Sequence, residues 1–305
     1  MKNDKYVVRI YNVCNVLMHE KMKPFILLLT LTCIVSCGSN RRANAFLSHM
    51  DTLYQQNPAE AIIAIDSFMS CHNDMSQHNR MLLTLYRLRA QNSVGEPFAS
   101  DSLARKVVEY FDDNGSVEEQ MSAYYVLGSV YRDLDNYPEA LADYQKAVAL
   151  ADTTDGNKNN AFLNRVYGQM GNVLLRQLAF NEAGVAYSLA VRFACKDKDT
   201  LGVLLSKEQI ANVLYLQNRR DEACKLREWL HDEYLKNGLV REASKVLVPN
   251  VSTLLGRGKV EEVGRILRSY EEHSGDVDSL GNVVSGLEKY YNDKANYLLA
   301  KSDVS

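Results

Sequence analysis

Internal repetition constrains this sequence more than any other feature. Residues 124–147 read YYVLGSVYRDLDNYPEALADYQKA, and residues 167–190 read YGQMGNVLLRQLAFNEAGVAYSLA. Aligned without gaps, the two segments share tyrosine, glycine and alanine at positions 43 residues apart. Weaker copies follow at intervals of 40 residues, from Ile210 to Leu230 and from Val251 to Tyr270. Repetition at such a period indicates a stack of similar supersecondary units, each packing on its neighbours.

Within one unit the apolar residues recur at helical spacing, as Leu127, Tyr131 and Leu134 do. Small residues such as Gly128 stand where two helices must approach closely. The unit resembles the tetratricopeptide repeat, a pair of antiparallel helices of about 34 residues. The resemblance implies an all-α fold, an α-solenoid of antiparallel helix pairs that forms a tetratricopeptide-like superhelix. The residues that fill the family's pattern are Tyr124, Leu127, Gly128, Tyr131, Ala140, Tyr144 and Ala147.

The repeat register predicts where the units lie. We expect repeats at 121–152, 164–195, 204–235 and 244–272, within a solenoid over 45–305 whose last repeat is incomplete after a helix at 287–300. Because the period exceeds that of the family, we place the additional residues between the second helix of one repeat and the first helix of the next, as at 153–160. Two further helix pairs are expected at 45–69 and 79–113, with a loop at 92–101 inside the second pair.

Proline marks helix starts and one predicted break. The segments NPAEA at 57–61 and NYPEA at 136–140 place proline in a first helical turn, where its missing N–H costs nothing. Asn57 with Glu60 three residues later is typical of a capping box. Pro249 instead falls inside the first helix of the fourth repeat, and we expect it to kink or shorten that helix.

The N-terminal region contains an uncharged apolar run from Phe25 to Val35. A membrane span needs about 20 residues, so this run is too short to be one. It has the length of the apolar core of a signal peptide, and two lysines precede it, as is typical of such peptides. The four residues ending at Cys37 resemble a bacterial lipobox, which implies cleavage before Cys37 and lipidation of its thiol. The alternative is a buried strand or short helix that happens to end in cysteine.

This reading divides the N-terminal region into two parts. Residues 1–36 comprise an upstream extension plus the signal peptide, with Met22 as a better start, and residues 37–44 form a lipidated tether. The chain thus resembles tetratricopeptide lipoproteins of the Bacteroidetes cell-envelope type, which implies a membrane-anchored lipoprotein. Some members carry an acidic run after the cysteine that sends them to the cell surface. That run is missing, so we expect this chain to face the periplasm.

Charge and motifs narrow the function classes. Residues 1–36 carry five of the 35 basic and two of the 38 acidic residues, so the mature chain has 30 and 36, a net charge of −6. That balance argues against nucleic-acid binding. No phosphate-binding loop or catalytic motif is present, and we predict no cofactor, small-molecule substrate or metal. The metal-like group Cys71, His72, Asp74 and His78 reads as a solvated linker, and Trp229 reads as core or inter-repeat packing.

In the family that the chain resembles, the first helices of successive repeats line a concave groove that holds peptides. Asn172 and Asn212 occupy the same repeat position, and an amide there can donate to and accept from a peptide backbone. In that family, a set of basic residues binds the C-terminal carboxylate of a peptide. The set is incomplete here, since Gly168 and Glu208 occupy positions where a lysine would contribute to such binding. An ordinary solvated helix face is the alternative. The predicted groove residues are Tyr125, Ser129, Arg132, Asp133, Asn172, Leu175, Arg176, Glu208, Asn212 and Tyr215.

The sequence therefore predicts a non-enzymatic, lipid-anchored scaffold of the cell envelope that binds a protein or peptide in the groove. An alternative of a different class is the truncated extracytoplasmic sensor part of a membrane-spanning signalling protein. An enzymatic role comes third.

Overall fold

The computed structural model describes residues 40–50, 52–151, 158–278 and 287–302. The predicted signal peptide, Met22 and Cys37 lie outside this part of the chain. The chain divides into two compact units, Met1–Leu134 and Asp135–Ser305. Within the described residues both units consist of α-helices with no β-strand, so the predicted all-α fold of antiparallel helix pairs is confirmed.

The described residues of the first unit form five helices. Helix α1 covers residues 40–50 and 52–56, and it begins inside the segment predicted as a tether. The others are α2 (Pro58–Cys71), α3 (Gln77–Val94), α4 (Ser102–Asn114) and α5 (Val117–Asp133). Asn57 caps α2 as predicted, since its side chain accepts from the Glu60 amide at 3.2 Å. The core between α1, α2 and α3 contains Ile65 and Leu83, both fully buried.

The described residues of the second unit form nine helices. They are α6 (Tyr137–Leu150), α7 (Asn160–Arg176), α8 (Phe180–Asp197), α9 (Thr200–Leu216), α10 (Arg220–Lys236), α11 (Val240–Val246), α12 (Val251–Leu255), α13 (Val260–His273) and α14 (Leu287–Ser302). Starts of α7, α9 and α11 are 40 residues apart. Tyr144 and Tyr187, at matching repeat positions, are both buried in the core.

The additional residues of the long period lie inside the helices, and our placement of them in linkers is wrong for most repeats. Only Lys198 and Asp199 separate α8 from α9, and only residues 237–239 separate α10 from α11. The helices themselves run to 17 or 18 residues. Each extra turn is retained because it buries apolar side chains, such as Phe193 and Leu204, against neighbouring helices. The longer connection at 153–160 falls largely outside the described residues.

Pro249 breaks the first helix of the fourth repeat, as predicted. The chain leaves α11 at Val246, makes a short 3₁₀ turn over Val248–Asn250 and resumes as α12. A proline removes one backbone donor and clashes with the preceding turn, which accounts for the interruption. One consequence is that Asn250 is carried into the interior, where it is 1% exposed.

The turns between paired helices share one backbone conformation. Asp135, Leu178, Asn218 and Gly258 occupy equivalent repeat positions, and each has a positive φ between 57° and 72°. Glycine and asparagine adopt this left-handed conformation readily, whereas a leucine there is strained. Leu178 is also 71% exposed, so its side chain recovers little by burial.

Replacing Leu178 with glycine is therefore expected to raise the free energy of unfolding by about 0.5–1 kcal/mol, because the strain of the left-handed backbone is removed. Asn218→Gly, at the equivalent turn, is the matched control and should change stability by less, since asparagine already tolerates this conformation. Hydrogen exchange of amides in α7 and α8, and in α9 and α10 for the control, measures both effects beside the wild type. If Leu178→Gly lowered the free energy of unfolding, the conclusion that the backbone at Leu178 is strained would be wrong.

Helix α14 packs on α13, where the Tyr270 and Tyr290 rings lie 5.3 Å apart. The helix predicted at 287–300 is thus confirmed. Its other side exposes Leu298 and Leu299. Within the described residues, no helix combines the length and the apolar character that crossing a membrane requires.

Candidate functional site

The first four predicted groove residues lie in α5 of the first unit, and most of their polar groups are engaged there. Ser129 is fully buried and its hydroxyl donates to the Tyr125 carbonyl at 3.0 Å. Tyr125 is 5% exposed, and its hydroxyl accepts from the Asn92 amide at 3.4 Å. The prediction that Tyr125 and Ser129 face a groove is wrong, because their side chains pack inside the unit.

Arg132 and Asp133 hold a loop in place. Arg132 donates to Asp133 at 2.8 Å and to the Asn92 side chain at 3.0 Å. The Asp133 carboxylate also accepts from the Phe98 amide, at 3.4 Å. The side chains are 15% and 13% exposed. These contacts tie the connection between α3 and α4 to the end of α5, so the pair is a structural element of the first unit rather than an open surface.

Leu175 and Arg176, at the end of α7, have different surroundings. Leu175 packs partly buried against the core cluster of Ala183, Tyr187 and Val213, so it contributes to the core more than to a surface. Arg176 is exposed, and its guanidinium lies 3.6 Å from the Asp135 carboxylate. An exposed pair of this kind contributes little to stability and leaves the arginine accessible to a partner.

Asn172 and Asn212 have matching environments in successive repeats. The Asn172 side-chain oxygen accepts from the Tyr187 hydroxyl at 2.7 Å, and the Asn212 oxygen accepts from Arg227 at 2.9 Å. Each amide nitrogen donates to a glutamine three residues earlier in its helix. Both asparagines are half-buried, so the amides fix the first helix of each repeat against the second. The amide group therefore has a structural role that the sequence pattern did not predict.

Arg227 lies at the centre of the second asparagine's environment. It is the largest fully buried side chain, at 1% exposure. Its two terminal nitrogens donate to Asn212 and to Asn250, at 2.9 and 3.0 Å, while its Nε has no partner within the described residues. It forms no ion pair with a described carboxylate. Burial lowers the pKa of its guanidinium, although arginine stays charged.

Two further groove residues border this buried charge. The Tyr215 ring lies 5.6 Å from the Arg227 guanidinium, and its hydroxyl is 3.5 Å from that of Ser252 in α12. Glu208 is half-buried and accepts from the Tyr234 hydroxyl at 3.0 Å. Burial raises the pKa of Glu208 above its ordinary value, against the opposing effects of Tyr234 and Arg227. Asn212, Tyr215, Arg227, Asn250 and Ser252 thus form one polar cluster, which we call the Arg227 cluster.

Sequence reasoning missed Arg227 and Asn250. Arg227 occupies the repeat position that holds Tyr144 and Tyr187 in the two preceding repeats. A charged residue at a position that is otherwise part of the core was the sequence signal that could have identified it. For Trp229 we expected core or inter-repeat packing. It is 40% exposed, which contradicts the core alternative, and the Lys207 ammonium of α9 lies 3.9 Å from its ring centre.

The group of possible metal ligands near residue 71 is dispersed. The His72 ring stacks on Phe68, with 4.1 Å between ring centres, and His78 contacts the Glu119 carboxylate at 3.2 Å. Across the described ranges, no three His, Cys, Asp or Glu side chains are placed to hold a metal ion. Of the three cysteines in these ranges, Cys71 and Cys195 are exposed and Cys224 is buried, all as free thiols.

Comparison with known proteins places the fold. The sequence model of the tetratricopeptide repeat family matches residues 122–153. No curated protein matches the chain. Apo RapI superposes with a TM-score of 0.55 at 12% identity, covering 85% of this chain and 97% of that one. Aspartyl phosphate phosphatase F from Bacillus subtilis gives 0.54 at 13% identity, over 87% of this chain and 68% of that one.

A Podosopora anserina chain of nearly identical tetratricopeptide-like repeats gives a TM-score of 0.50 at 16% identity, over 64% of this chain and 96% of that one. Identities this low show likeness of fold and nothing more specific. The matched segment shows one tetratricopeptide repeat at 122–153, and the three superpositions show a helical-repeat fold.

Proposed function

We propose that this protein is a non-enzymatic scaffold, anchored to the cell envelope by a lipid on Cys37 and facing the periplasm. It binds an extended segment of a protein or peptide along α7 and α9. The observation that carries the binding part is the repeated amide of Asn172 and Asn212. Each has one side-chain N–H bonded to a glutamine, and its second N–H has no partner among the described residues.

The spacing of these amides suits an extended backbone. Helices α7 and α9 contact each other, and packed helices have axes about 8–10 Å apart. A segment in the polyproline II conformation advances about 3.1 Å per residue with three residues per turn, so carbonyls three residues apart point the same way and match one repeat. Arg176 lies one helical turn after Asn172, and Tyr215 lies one turn after Asn212. They offer a positive charge and an aromatic ring, respectively, to side chains of the bound segment.

The structure also shows how to test the amides without unfolding the repeats. Alanine at either position would remove the acceptor that Tyr187 or Arg227 needs, so loss of binding could come from loss of structure. Aspartate keeps that acceptor, removes the N–H donors and adds a negative charge. The control pair is Asn114→Asp with Asn136→Asp, which adds the same two charges at exposed positions.

The experiment captures partners of the full chain from solubilised envelopes of producing cells and quantifies them by mass spectrometry. The Asn172→Asp, Asn212→Asp double variant is expected to retain partners about five- to a hundredfold less well, because each lost hydrogen bond contributes about 0.5–1.5 kcal/mol. The control pair should capture like wild type. Equal capture by both pairs would exclude the proposed binding face.

Anchoring is tested separately. Cys37→Ser is expected to abolish incorporation of labelled palmitate and to move the chain from the membrane to the soluble fraction, or to leave its signal segment uncleaved. A Cys37→Ser chain that is processed, unlabelled and still in the membrane fraction would show that Cys37 is not the anchor.

A further inference from the structure

A second surface lies on the opposite side of α9 from Asn212. A cleft of about 570 Å³ runs between α8 and α9. We call it the α8–α9 cleft and define it by Val185, Leu189, Arg192, Ile210, Leu214 and Arg219. Successive residues of a helix are rotated by about 100°, so Ile210 and Leu214 project roughly opposite to Glu208 and Asn212. A ligand in this cleft would therefore contact neither asparagine of the proposed binding face.

The floor of the cleft is more apolar than the equivalent surface of neighbouring repeats. Val185 is 62% exposed, and its side chain contributes to the apolar part of the cleft lining. The equivalent positions hold Ala142 one repeat earlier and Lys225 one repeat later. Leu189 corresponds to Lys146 in the earlier repeat and to Trp229 in the later one. Neither neighbouring repeat therefore carries a large aliphatic side chain at both positions.

Both charged residues of the cleft are arginines, and the lining contains no carboxylate. Arg192 is exposed and forms no ion pair within the described part of the chain. Arg219, at the opposite end, is paired with Glu222 at 2.6 Å outside the lining. A valine and leucine floor between two guanidinium groups complements a ligand with apolar side chains at its centre and carboxylates at its ends.

The length of the cleft indicates the size of that ligand. The lining of α8 extends from Asn181 to Arg192, which at about 1.5 Å per residue is roughly 16 Å. An extended segment of about five residues has the same length.

We propose that the α8–α9 cleft binds a short acidic segment of a partner protein, with apolar side chains over Val185 and Leu214 and carboxylates near Arg192 and Arg219. The Arg192 end is the stronger charge contact, because Arg219 already has a carboxylate partner. Since exposed charges are screened by salt, binding weakens as ionic strength rises.

The test selects a random-peptide phage library on the purified full chain and measures affinities of the enriched peptides by fluorescence polarisation. Acidic peptides with at least two apolar residues are expected. Val185→Lys, which places a charge against the apolar side chains of the peptides, should lower their affinity by about tenfold or more. Arg192→Glu should lower the affinity of these peptides similarly and, in a fresh selection, favour basic peptides instead.

Matched controls are Ile63→Lys, at an equally exposed aliphatic residue elsewhere, and Arg165→Glu, at another exposed arginine. Both should leave the affinities unchanged. The proposal is overturned if no acidic peptide is enriched, or if enriched peptides are insensitive to Val185→Lys and Arg192→Glu. It is also overturned if sedimentation shows that the chain pairs with itself through contacts that Val185→Lys abolishes.

The Asn172→Asp, Asn212→Asp double variant separates the two surfaces. Peptides in the cleft should bind this variant as they bind the wild type. Peptides lost only with the asparagine variant would be ligands of the proposed binding face, and would count against the cleft while supporting that face.

Discussion

Replacing Arg227 with alanine is expected to lower the free energy of unfolding of the second unit by about 3 kcal/mol. The substitution removes the largest fully buried side chain and leaves a cavity. It also removes the donors to Asn212 and Asn250, and the latter is 1% exposed. Relief from burying a charge without an ion pair offsets part of this loss.

Arg227→Tyr is the matched variant, because the preceding repeat shows that tyrosine serves at this position. Tyr187 fills the equivalent space and donates to Asn172 at 2.7 Å. A tyrosine at 227 is expected to restore volume and the bond to Asn212 but not the bond to Asn250. It should therefore cost about half as much as alanine.

Because the chain has two compact units, a single unfolding curve would mix their contributions. Hydrogen exchange of amides in α9 and α10 reports on the relevant helices directly. Lys225→Ala, an exposed change in the same helix, controls for helix effects. Equal protection in Arg227→Ala, Lys225→Ala and wild type would show that the Arg227 cluster does not hold the repeats together.

Two glycines of α7, three residues apart, are expected to respond to alanine with opposite signs. A Cβ at Gly171 would stand 2.6 Å from the Tyr187 ring, whereas a Cβ at Gly168 meets nothing within 4 Å. Tyr187 cannot withdraw, because it is 1% exposed and donates to Asn172. Gly171→Ala should therefore destabilise by about 1–3 kcal/mol through overpacking.

Gly168→Ala should instead stabilise by about 0.5–1 kcal/mol, since alanine loses less backbone entropy in a helix than glycine. Hydrogen exchange of amides in α7 and α8 gives the difference for these helices, about 1.5–4 kcal/mol between identical chemical changes. If both variants gain stability, the close approach of α7 and α8 at Gly171 is wrong. If both lose it, the open space at Gly168 is wrong.

The sequence predicted the parts of the fold that depend on local pattern. The helix pairs at 45–69, 79–113 and in the repeats follow from apolar spacing, and the cap at Asn57 follows from hydrogen bonding within one turn. The break at Pro249 follows from a missing donor. Gly171 was predicted by its alignment with Gly128, because a repeat carries the same close approach to the same position.

Placement of the candidate site depended on contacts that no local pattern contains. The sequence alone placed Asn172, Asn212 and Tyr215 at matching positions of the first helices, but it could not show that both asparagine oxygens accept from the second helices. It also could not show that Tyr125 and Ser129 are buried, or that Arg227 and Asn250 meet across 23 residues. Periodicity states which side of a helix is apolar. Which groups from separate helices come within hydrogen-bond distance is decided only when the helices pack, and that packing made a buried arginine the centre of the cluster.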